Sequence, residues 1–77
     1  MKNKNKADFV SFCIEEYAVA RGITGVEAFD YFKRYGVIQY LIEFYNPLNT
    51  QGTEWLIEEI DEYVSHAKRE ENESISR

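Results

Sequence analysis

The sequence predicts an all-α fold, a compact single domain of four short helices. Three observations carry that prediction. Four segments repeat apolar residues at i, i+3, i+4 and i+7, the period of a helix with one buried face. Thr24 and Glu27 form a capping-box pair at the start of one segment. Gly22, Gly36 and the Asn46–Pro47 step stand where segments end, as left-handed caps or as a break before proline.

The first helix is expected over 8–21. Phe9, Phe12, Cys13, Tyr17 and Ala20 follow one stripe, with Val10, Ile14 and Ala18 beside it. Only Asp8, Ser11 and Glu15 leave a polar strip, so this helix should be central to the domain. The second is expected over 25–35, with Ala28, Phe29, Phe32 and Tyr35 inward. The third, over 37–45, is short and apolar through Val37, Leu41, Phe44 and Tyr45. Asn46 before Pro47 should end it, because the prolyl ring disfavours helical backbone at the preceding residue. The fourth, over 52–68, is capped by Thr50 or Thr53 and buries Leu56, Ile60, Tyr63, Val64 and Ala67. Acids crowd its start and Lys68 and Arg69 close it, complementing the helix dipole. Phe12, Tyr17, Phe32, Leu41, Leu56 and Ile60 should meet in one core. Residues 1–7 read as a flexible tail, 8–69 as the helical domain and 70–77 as a disordered tail.

With 77 residues there is room for one domain. Its twelve Phe, Tyr and Trp side chains exceed what so small a body can enclose, which leaves aromatic surface for a partner. The net charge is −5, and residues 8–69 carry eleven acids against five bases. That sign opposes phosphate tracking and suits a basic protein partner. A lone Cys13 forms no internal disulfide, which points to a cytoplasmic protein. Asp8, Glu15 and Glu16 interrupt any signal-peptide core, and no apolar run reaches the ~20 residues of a membrane span.

Catalytic chemistry finds little support. His66 is the only histidine, Cys13 lies within an apolar pattern, and no Gly-x-Ser-x-Gly elbow exists. The spacing Glu62-x-x-x-His66 departs from the Glu-x-x-His of di-iron bundles, and zinc lacks ligands. The four glycines stand singly and cradle no phosphate, so no metal or cofactor is expected. The last two helices imitate a helix-turn-helix, but the recognition helix would open TEWLIEEIDE, with carboxylates against phosphates. What remains is a recognition surface. Asn49, Thr50 and Gln51 offer hydrogen-bonding groups beside Trp55, while Glu54, Glu58 and Glu62 stack at i+4 on one helix face.

The segments FCIEEYA at 12–18, ITGVEAFDYFKRYGV at 23–37 and YNPLNTQGTEWLIEEIDEYV at 45–64 resemble a bacterial family of small domains of unknown function. That family pairs a Phe-Cys-Ile-Glu start with a central Tyr-Asp-x-Leu-His-Thr-Gln-Gly segment. Leu48, Thr50, Gln51 and Gly52 match its most distinctive part, while Asn46 stands for the Asp and Asn49 for the His. Its members are often encoded beside small proteins resembling ADP-ribosyltransferase toxins, which implies an antitoxin-like or accessory role and no catalytic residue. The expectation is therefore a non-enzymatic protein–protein interaction domain with a basic, toxin-like partner. The alternative is a small helix-turn-helix-like DNA-binding regulator. Homo-oligomerisation is left open.

Overall fold

The chain enters its first helix at Asn5, whose side-chain oxygen accepts the Asp8 N–H at 2.9 Å. In the computed structural model, which describes the backbone of residues 4–75 and the side chains of residues 4–70, five helices follow: α1 Lys6–Arg21, α2 Gly25–Arg34, α3 Val37–Glu43, α4 Tyr45–Leu48 and α5 Thr53–Ile75. No strand occurs among the described residues, and none of their helices is long and apolar enough to cross a membrane.

Each junction has a local cause. Gly22 adopts φ 67°, ψ 37°, and the Gly22 and Ile23 N–H groups turn back to Val19 and Ala18 carbonyls in a Schellman arrangement. At Thr24 the capping box is complete. The Glu27 N–H donates to Thr24 Oγ1 at 3.1 Å, and the Thr24 N–H donates to Glu27 Oε1 at 2.9 Å. Thr24→Ala removes one of these bonds and should lower stability by about 1 kcal/mol, read as an earlier urea midpoint at unchanged slope. An unchanged midpoint would show that the box contributes nothing. Gly36, at φ 74°, reverses the chain from α2 into α3, a conformation that side-chain-bearing residues rarely adopt.

Several boundaries differ from expectation. The third helix breaks at Phe44 (φ −108°, ψ 29°), one residue before its expected end. A separate turn, α4, then forms across Asn46–Pro47, where a non-helical exit was expected. Pro47 is tolerated because it lies in the first turn, whose N–H groups need no intrahelical acceptor. The last helix runs to Ile75, where an end near 68 and a disordered tail were expected. No Gly or Pro follows Gly52, and Ala, Lys, Arg and Glu favour helix without needing a buried face. The first helix begins at Lys6, two residues early, with Asn5 as the unforeseen cap. The rest of the expected tails, residues 1–3 and 76–77, lies outside the described residues.

Helix α1 packs against α2, α3 and α5, which confirms its central place. Its buried row is Phe9, Cys13 and Tyr17 at i+4 steps, so Phe12 falls to the margin of the core. Phe32 from α2, Val37 and Leu41 from α3, Leu48 from α4, and Leu56, Ile60 and Val64 from α5 complete the cluster. Phe29 and Phe44, expected inward, are 41% and 46% exposed. Ala28 and Phe32 define the buried face of α2 and leave Phe29 to one side. The break at Phe44 takes that residue out of phase with Val37 and Leu41.

Candidate functional site

Helix α5 opens at Thr53, with the Leu56 N–H bonded to the Gly52 carbonyl at 3.0 Å. Leu56, Ile60 and Val64 anchor its inner face in the core. The i+4 spacing then carries Glu54, Glu58 and Glu62 to the outer face, where all three are exposed. Like charges at this spacing destabilise a helix by a few tenths of a kcal/mol per pair. Trp55 stands beside this stripe with 44% of its surface open to solvent. Burying such a side chain against a partner releases a large apolar area, which is why Trp recurs as an interface anchor.

The loop ahead of α5 is less available than the sequence suggests. Asn49 is 7% exposed, and its Nδ2 donates to the Tyr45 hydroxyl at 3.3 Å. It therefore holds α4 and the loop together, where a surface recognition group was expected. Thr50 is exposed, but its hydroxyl donates to the Pro47 carbonyl at 2.9 Å and closes α4, so it does not cap α5. Gln51 is exposed, with its N–H on the Leu48 carbonyl at 3.1 Å. The expected site thus reduces to Gln51, Glu54, Trp55, Glu58 and Glu62, with Thr50 at its rim.

A neighbouring aromatic contact was not foreseen. Tyr40 of α3 stacks on Tyr63 of α5, with centroids 4.3 Å apart and planes at 18°, and Phe44 lies 5.3 Å from Tyr40. The Tyr40 hydroxyl donates to Glu59 Oε2 at 2.9 Å. Tyr and Glu spaced apart in sequence carry no local signal for such a bond; it emerges only when α3 meets α5. Burial, reinforced by the Glu59 carboxylate, pushes the Tyr40 phenol from an ordinary 10 up to about 12. The folded chain thus holds this proton more tightly than the unfolded chain. The associated stability is present below pH 10 and is lost as pH rises through about 12. Tyr40→Phe should flatten the fall of stability with pH across that window, measured by denaturant titration. An equally steep fall would show that Tyr40 is not the group responsible.

Tyr17 donates to Asp61 Oδ1 at 2.8 Å, while Arg21 pairs with Asp61 Oδ2, joining the end of α1 to α5. Cys13 is buried, and burial pushes its thiol up to about 12, so it stays protonated and non-nucleophilic at neutral pH. His66 is exposed. Among the described residues, no three His, Cys, Asp or Glu side chains converge as a metal site would require.

The fold and site define a small all-α domain with an acidic, tryptophan-bearing helix face. By sequence it belongs to the family described as "Protein of unknown function (DUF3791)", which matches residues 8–66. No curated protein and no solved structure matches the chain.

Proposed function

We propose that this chain is a non-enzymatic protein-interaction domain. It docks a cationic surface of a partner protein on the outer face of α5. The observation that carries the reading is the exposure of Glu54, Glu58 and Glu62 on one face beside the half-exposed Trp55, the only tryptophan of the chain. The carboxylates steer a basic surface and the indole supplies the apolar anchor. The resemblance described above narrows the partner class to a basic, toxin-like protein, with the chain in an antitoxin-like or accessory role. A protonated, buried Cys13 and an isolated, exposed His66 support a role without covalent catalysis. A regulator reading the DNA major groove would have to bring the acidic first turns of α5 against phosphates, which favours the protein partner.

The reading is tested by capture from native cells at low salt. The unaltered chain should retain a basic protein that the Glu54→Gln/Glu58→Gln/Glu62→Gln variant and the Trp55→Ala variant lose. Equal retention by all three would overturn it.

A further inference from the structure

The rings that reach the surface fall into two groups. On α2, Phe29, Tyr31 and Tyr35 lie under the chain's own cations: Lys33 at 4.9 Å, Lys68 at 5.2 Å and Arg34 at 5.3 Å from the respective centroids. Along the α3–α5 seam the pattern reverses. Tyr40 and Tyr63 stack there, and Phe44 packs against Tyr40 with 46% of its surface open. No Lys or Arg of the described residues stands over any of these three rings. What gathers beside them is carboxylate. Glu59 accepts the Tyr40 hydroxyl through Oε2, which uses one of about four acceptor positions on a carboxylate. After burial, the charges of Glu59 and Glu62 both add to the upward shift of the Tyr40 phenol, which places both carboxylates near its ring. Among the described residues no cation pairs with Glu59 or Glu62.

The register explains why these groups meet. A Cβ at Gly36 would lie 3.8 Å from the Tyr63 hydroxyl, so the start of α3 meets α5 one turn beyond Glu59. Tyr40, a turn further along α3, bonds Glu59 itself. The order along α3 is thus the reverse of that along α5. Phe44, another turn on, lies at the end of the seam nearer the first turns of α5. Trp55, Glu59 and Glu62 share one side of α5 at i, i+4 and i+7. Glu62 therefore belongs both to this seam and to the acidic stripe, and the two surfaces are continuous.

We propose that the Phe44 end of the α3–α5 seam receives one arginine side chain of the basic partner, its guanidinium plane against the Phe44 ring and its N–H groups donating to the Glu59 and Glu62 carboxylates. The inference rests on the function proposed above and names the group that function recognises. Arginine fits the seam better than lysine. Its planar guanidinium stacks on an aromatic face, is more weakly hydrated than an ammonium, and donates through a fork that can engage two carboxylates. A cation held there also offsets the repulsion between Glu59 and Glu62.

The test uses hexa-arginine and hexa-lysine peptides, equal in charge, titrated calorimetrically against the full chain at one low salt concentration. Hexa-arginine should bind about tenfold more tightly. Phe44→Leu keeps an apolar side chain without a π face. It should abolish the preference and leave the affinity for hexa-lysine unchanged, whereas Phe44→Tyr should keep the preference. Glu54→Gln/Glu58→Gln leaves Glu59 and Glu62 in place; it should weaken both peptides and preserve their ratio. If Phe44→Leu loses its helical spectrum, Glu62→Gln replaces it and should narrow the ratio. Equal affinity of the unaltered chain for the two peptides would overturn the inference and leave the cationic-partner reading standing. A preference that survives in folded Phe44→Leu would do the same. Binding of neither peptide would overturn the inference together with the reading it rests on.

Discussion

Leu41→Ala is expected to lower stability by about 2–5 kcal/mol, enough to unfold much of a domain this small. Leu41 has no solvent exposure and sits on α3, the short helix that packs against α1, α2, α4 and α5. Close-packed interiors refill such a void poorly, and α3 has only seven residues with which to adjust. Truncation should therefore loosen several junctions at once. The measurement is the thermal midpoint by circular dichroism, with Ile38→Ala as the comparison, since Ile38 lies at the margin of the core. An unchanged midpoint for Leu41→Ala would contradict the buried face assigned to α3.

Trp55→Ala should act on binding and spare the fold. An interface anchor of this kind costs about 2 kcal/mol or more when truncated, roughly a thirtyfold or greater loss of affinity for the cationic partner. Because 44% of the side chain is already open to solvent, the thermal midpoint should move little. Calorimetry of the variant against the captured partner, beside its melting curve, separates the two effects. A large fall in midpoint with unchanged affinity would make Trp55 a structural residue.

Much of this fold was legible because the deciding forces are local. Thr24 and Glu27 sit three apart, and both capping bonds form. Gly22 and Gly36 both adopt the left-handed conformation that their positions required. The i+4 spacing of Glu54, Glu58 and Glu62 placed all three outside as expected. What escaped the sequence was non-local or phase-dependent. Phe29 and Phe44 were read inward by periodicity alone, and periodicity does not say which edge of an apolar stripe a neighbouring helix covers. The turn at α4 hid behind Pro47, whose effect depends on its place within a helix. Asn49 looked like a surface hydrogen-bonding group, yet burial against Tyr45 gives it a structural duty. The Tyr40–Glu59 bond and the Tyr17–Tyr31 stack each join different helices, so no local signal announces them.

The central claim, that the α5 face recognises a cationic protein surface, is tested most directly by association kinetics with the captured partner. Stopped-flow rates are compared for the unaltered chain and the Glu54→Gln/Glu58→Gln/Glu62→Gln variant across a salt series. Electrostatic steering raises on-rates and makes them fall as salt rises. The variant should associate about tenfold or more slowly at low salt, and its rate should respond less to added salt. On-rates and salt slopes identical to those of the unaltered chain would contradict the claim and leave the acidic stripe as a solvated surface.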